Sequence, residues 1–171
     1  MLGAIAGDII GSVHEFGPPA VPGTPLFECE SHFTDDTVLA LATVRCLLDQ
    51  VDYATAYREA YQANRNQSWG LRFIHWGKDP EMGPYNSFGN GSAMRVSPVG
   101  FWARSLDEAL NQARRSAEVT HDHPEGIRGA QATVYFQVAM EISLSLHADT
   151  DTLACIVGGM AEARFLVYRV R

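Results

Sequence analysis

No apolar run in the chain reaches the roughly 18 residues that a membrane span needs, and the N-terminus lacks the cationic head of a secretory signal. These absences predict a cytoplasmic protein with no membrane partner. Cysteine is scarce. Cys29, Cys46 and Cys155 are odd in number and widely spaced, which argues against a disulfide framework and predicts reduced thiols. Positive charge is also short: 13 Lys and Arg face 20 Asp and Glu, for a net charge of −7. A general nucleic-acid binder needs a basic surface and is argued against. A phosphate-bearing ligand is not, because backbone amides and a bound cation can hold one. No long repeat, linker or low-complexity tract divides the sequence, and no alternating apolar run demands a sheet.

What remains is a single domain over residues 1–171, 46% hydrophobic and 19% charged, large enough for a real core. Its apolar spacing is helical, so the expected class is all-α. Residues 2–13 carry Gly3, Gly7 and Gly11 at every fourth place, a spacing that predicts a buried first helix with one face open to close backbone approach. Pro18, Pro19, Pro22 and Pro25 make 16–31 an extended surface loop of the kind that becomes a lid. Residues 37–50 are apolar nearly all round and predict a central helix. Further helices are expected over 53–64, 71–76, 106–119, 126–146 and 152–167, with 78–98 as a loop rich in Gly, Pro, Asn and Ser.

Two acidic clusters, Thr34-Asp35-Asp36-Thr37 and Asp149-Thr150-Asp151-Thr152, each head an apolar helical stretch. Asp and Thr are ordinary helix caps. One carboxylate suffices for a cap, however, and a second beside it adds a repulsion that a cation would relieve. Hard oxygen donors of this kind suit magnesium or manganese better than zinc. Asp8, Ser12 and Glu15 share one face of the first helix; a hydrogen-bond network explains Asp8 as well as a site does, while Glu15, at the helix end, can reach a ligand. Ser87-Phe88-Gly89-Asn90-Gly91-Ser92 combines glycines with amide and hydroxyl donors that can turn toward a phosphate, although a type I′ turn at Asn90-Gly91 explains part of the pattern. His121 and His123 are two apart before a proline and do not match a zinc helix motif.

Gly3 to Ser12, Phe33 to Thr37, Asn86 to Arg95, Glu118-Val119-Thr120-His121 and Asp149 to Thr152, in that order, resemble the motifs of the ADP-ribosylglycohydrolase family, from the first residue to about Ala163. The resemblance implies an all-helical fold and hydrolysis of the bond between the distal ribose of ADP-ribose and an acceptor, with two magnesium or manganese ions. It implies Thr34, Asp35, Asp36, Asp149, Asp151 and Thr152 as metal ligands. Glu15 would be the acidic residue near the metals, Ser87 to Asn90 would hold the diphosphate, with Gly91 and Ser92 completing that loop, and His121 would line the ribose side. The proton would be handled by Glu15, or by an aspartate such as Asp35 or Asp151 that leaves the metal shell. The expected partner is an ADP-ribosylated protein or a small ADP-ribose conjugate.

The chain departs from the family pattern at Ser87, where some arginine-directed members carry an acidic residue, and between Gly126 and Asp149. Gly126 reaches Asp149 in 23 residues, where members carry several more helices, and His147-Ala148 stands where a Gly-Gly pair is common. Two readings follow: a shortened metal-dependent hydrolase, or a non-catalytic descendant that binds ADP-ribose or simply folds as a helical domain. A domain lacking helices would leave apolar faces bare, and a homodimer is expected to rebury them.

Overall fold

The structure, a computed structural model, describes residues 2–16, 21 and 23–145. Among them are helices and no strands, in the order α1 (Leu2–Gly11) with a 3-10 turn (Ser12–His14), α2 (Asp35–Asp49), α3 (Tyr53–Ala63), α4 (Leu71–Lys78), α5 (Gly91–Met94), α6 (Ser97–Trp102), α7 (Leu106–Glu118) and α8 (Pro124–Ser145). The all-α expectation therefore holds. The helix expected over 152–167 and the second acidic cluster lie outside the described residues.

Helices α3, α7 and α8 start where the sequence supplies a suitable first residue. Asp52 accepts the Thr55 N–H at 3.0 Å ahead of α3, and Ser105 accepts the Glu108 N–H at 3.2 Å ahead of α7. Pro124 opens α8, where its missing N–H costs nothing. At its other end α2 stops at Gln50, which takes a left-handed conformation.

Two apolar clusters hold the helices. In the first, Leu39 of α2, Tyr57 and Tyr61 of α3, and Phe73 and Trp76 of α4 meet around Trp69, which stacks on Phe73 with ring centroids 5.0 Å apart. In the second, Ala109, Ala113 and Ala117 form a fully buried small-residue stripe along α7, letting Ala130 and Val134 of α8 come close. Val96 and Val99, around α6, fill the same core, and Leu47 links it to α2. Thus α2 is central, as its apolar pattern predicts, although Leu41 and Leu48 on its outer side stay exposed.

Two expectations need correction. No residue of α1 is buried, and nothing among the described residues lies within 4 Å of a Cβ placed at Gly3, Gly7 or Gly11. The every-fourth glycine face thus receives no described backbone; spacing identifies a face but not the element that covers it. The expected 78–98 loop contains α5 and ends in the start of α6. The Gly and Pro content hid these short helices, since Pro98 serves in the first turn of α6 instead of breaking it.

Candidate active site

The first cluster of functional side chains sits where α1 meets the start of α2. Thr34 is the α2 N-cap, its Oγ1 accepting the Asp36 N–H at 3.3 Å. Most of the capping comes from another helix. The Asp8 carboxylate of α1 accepts the Thr34 N–H at 2.9 Å and Oγ1–H at 2.6 Å, and the Thr37 N–H at 3.1 Å and Oγ1–H at 2.5 Å. One acid thereby satisfies the amides and hydroxyls of both Thr34 and Thr37 and sets a negative charge at the start of α2.

Asp35 and Asp36 are left with little structural duty. Besides their own backbone amides, Asp35 accepts a 3.3 Å bond from Ser68 Oγ and Asp36 lies 3.4 Å from Thr34 Oγ1, and neither takes part in an ion pair among the described residues. Burial, then Asp36 and, more weakly, Glu15, push the Asp35 pKa up to about 6. Burial, Asp8 and Glu15 raise that of Asp36. Glu15, exposed just after the 3-10 turn, is thus near enough for both aspartates to feel its charge. A carboxylate pair strained by burial and like charge is the environment a cation relieves. Thr34, Asp35 and Asp36 supply hard oxygen donors of the right kind for magnesium or manganese. Among the described residues no group of three or more His, Cys, Asp or Glu gathers as metal ligands, and Asp149, Asp151 and Thr152 lie outside them.

The second cluster is a loop pinned onto a turn. Asn86, in a left-handed conformation with φ 52°, donates its N–H to Asp122 Oδ1 at 2.7 Å, and the Tyr85 N–H bonds the Thr120 carbonyl at 3.4 Å. Ser92 Oγ donates to the Gly126 carbonyl at 2.7 Å. A Cβ at Gly126 would lie 2.6 Å from the Ser87 carbonyl and 2.9 Å from that of His121, so only glycine admits this approach. The His121 ring lies against the loop, with its Cε1 and Nε2 each 3.0 Å from a Cβ position at Gly91. Burial, then the Arg95 charge, lowers the His121 pKa to about 4. Phe88, largely exposed, leans on His123 with ring centroids 5.4 Å apart. Asn90 is not part of a type I′ turn: its φ of −76° is right-handed, and its carbonyl accepts the Ala93 and Met94 N–H groups to open α5. His123 Nδ1 accepts the Glu125 N–H at 3.1 Å and so caps α8, in keeping with its failure to fit a zinc motif.

Residues 1–140 match the profile of the family described as ADP-ribosylglycohydrolase. The chain belongs to the ADP-ribosylglycohydrolase family. It is 28% identical over 188 residues to the human protein ADP-ribosylhydrolase ARH3, covering 89% of this chain and 50% of that protein. The chicken (Gallus gallus) ARH3 is 27% identical over 190 residues, covering 89% and 51%, and the zebrafish (Danio rerio) ARH3 is 25% identical over 193 residues, covering 95% and 52%. The chain spans about half the length of these curated relatives.

In this family member the structure groups Asp8, Thr34, Asp35, Asp36 and Glu15 at one end of α2, and Ser87 to Ser92 with His121 at the start of α8. Sequence reasoning missed several supporting groups. Ser68, Tyr85 and Gly126 are distant from their partners in the chain and carry no local signal. Arg95 lies inside the Asn86-to-Arg95 motif, but only its complete burial sets it apart. Cys29 and Cys46 are free thiols, as expected, and Cys155 lies outside the described residues.

Proposed function

We propose that the chain is a metal-dependent hydrolase that cleaves the bond between ADP-ribose and an acceptor, either a modified protein side chain or a small conjugate. One observation carries this reading. Asp8 takes over the cap of α2, so that Asp35 and Asp36 are held half-buried and close together without a structural use for their charge. The helix dipole accounts for one first-turn carboxylate, but a second, half-buried beside it, adds a repulsion that folding alone does not need.

In this reading Thr34, Asp35 and Asp36, with Asp149, Asp151 and Thr152, hold two magnesium or manganese ions. Bound there, the ions supply positive charge that neutralises the carboxylates and polarises oxygens near the anomeric carbon. The Ser87 to Ser92 loop holds the diphosphate and fixes the distal ribose, contributing binding energy remote from the bond that breaks. Water adds to the anomeric carbon as the bond to the acceptor breaks, the electron pair leaving with the acceptor. Glu15 takes the water proton, and that proton passes to the departing acceptor, so that the acceptor leaves neutral and Glu15 is regenerated. Retained activity in Glu15→Gln would move that role to Asp35 or Asp151.

The test is release of ADP-ribose from a panel of ADP-ribosylated arginine, serine and nucleobase substrates, with magnesium or manganese and with a chelator. Release is expected from at least one substrate, abolished by chelation and by Asp35→Ala. Tight ADP-ribose binding with no release from any substrate would overturn the hydrolase and identify a non-catalytic binder.

A further inference from the structure

The guanidinium of Arg95 is completely buried, and no carboxylate pairs with it among the described residues. It lies over the Tyr57 ring at 4.3 Å, and its Nη2 donates to the Ser116 carbonyl at 2.5 Å and to Thr120 Oγ1 at 2.9 Å. Its Nε and Nη1 have no hydrogen-bond partner among the described residues. Burying a cation on such terms is costly, so a use for it is to be sought in what it touches.

Thr120 is the link. An arginine N–H can only donate, so Thr120 Oγ1 is an acceptor toward Arg95. The same oxygen lies 2.8 Å from His121 Nδ1. With one lone pair filled by Arg95, the Thr120 hydroxyl can turn its one proton to Nδ1. Electrostatics favour the same arrangement: a neutral imidazole is negative at its bare nitrogen, and the guanidinium stands on the Nδ1 side. On the other side, Nε2 has no hydrogen-bond partner among the described residues and borders the glycine edge of the loop, 3.0 Å from a Cβ position at Gly91 and 3.9 Å from one at Gly89.

We propose that Arg95 and Thr120 are positioning residues that lock His121 as the Nε2–H tautomer, so that the ring meets its ligand as a hydrogen-bond donor to a phosphate or ribose oxygen. A ring so held cannot serve as a base through Nε2. The tautomer stands on the Arg95–Thr120–His121 contacts and the guanidinium charge beside them; the identity of the ligand rests on the function proposed above.

Long-range proton–nitrogen correlation spectra of histidine-labelled protein at pH 8 decide the tautomer. His121 should show a bare, pyridine-type Nδ1 and a protonated, pyrrole-type Nε2. Thr120→Val, which keeps the shape and removes the hydroxyl, should shift both nitrogens toward averaged values, and Thr120→Ser should restore them. A protonated Nδ1 in the wild-type protein overturns the proposal whether or not the variants fold. Calorimetry with ADP-ribose supplies the second readout. Affinity should fall about tenfold in Thr120→Val, the loss of roughly one hydrogen bond, and recover in Thr120→Ser. Unchanged affinity in Thr120→Val would overturn the donor role. No ADP-ribose binding by the wild-type protein would overturn the functional reading and the ligand role together, while the spectrum would still decide the tautomer.

Discussion

Burial keeps the His121 imidazole neutral in the folded protein, with a pKa near 4 against an ordinary value of 6.5. The charges that face it are Arg95, which opposes its protonation, and Asp122, which favours it; burial and Arg95 together outweigh Asp122. Because the folded pKa is the lower one, the unfolded chain takes up a proton below pH 6.5 that the native state refuses. Stability is therefore unaffected by this group above pH 6.5 and falls as the pH drops toward 4, by up to about 3 kcal/mol. Urea unfolding at pH 7.5 and pH 4.5 should show a smaller loss for His121→Gln than for the wild-type chain. At the same scale, Gly126→Ala drives a methyl against two carbonyls and should cost about 1–3 kcal/mol while loosening the loop. Gly89 behaves differently, since a Cβ there meets Ser87 Oγ at an ordinary 3.5 Å. Gly89→Val should therefore keep most of the stability but weaken ADP-ribose binding measured by calorimetry.

At the scale of elements, the junction of α1 with α2 depends on a single side chain. Four hydrogen bonds converge on the Asp8 carboxylate, two of them from backbone amides with no partner inside the helix. Asp8→Ala should cost about 2 kcal/mol, at the upper end for a lost cap, and detach an otherwise unburied α1. Amide exchange should accelerate in α1 and the first turn of α2 while α7 and α8 stay protected. Equal exchange in both regions would show that α1 is held by something other than this carboxylate. The α7–α8 pair is tied instead by its alanine stripe and should unfold last.

For the whole molecule, metal and assembly are the two open expectations. A cation that binds only the native state stabilises it by mass action, about 2.7 kcal/mol at a hundred times its dissociation constant. Millimolar magnesium or manganese should raise the melting temperature of the wild-type chain and not that of Asp35→Ala. An unchanged melting curve would remove the metals. Between α2 and α3 a groove of about 520 Å³ is lined by Phe33, Val38, Leu41 and Ala60, and Leu41 and Phe33 are each more than two-fifths exposed. If the expected homodimer uses this face, sedimentation should report a dimer that Leu41→Glu converts to monomer. A folded wild-type monomer at micromolar concentration would refute the dimer.

Local pattern by itself determined the helical class, the extents of α3 and α7 to within a residue, and the central place of α2, and it singled out the Asp35-Asp36 and Ser87-to-Ser92 segments as candidates. Apolar periodicity, caps and turn residues act between neighbours in the chain, so they are legible there. Tertiary structure alone decided that Asp8, 26 residues before Thr34, takes the cap and frees the aspartate pair. It alone decided that α1 stays unburied, that Gly126 admits the Ser87 loop, and that a buried Arg95 stands behind His121. Each of these is a contact between segments distant in sequence, and one chain read in order carries no record of which distant polar group will meet which.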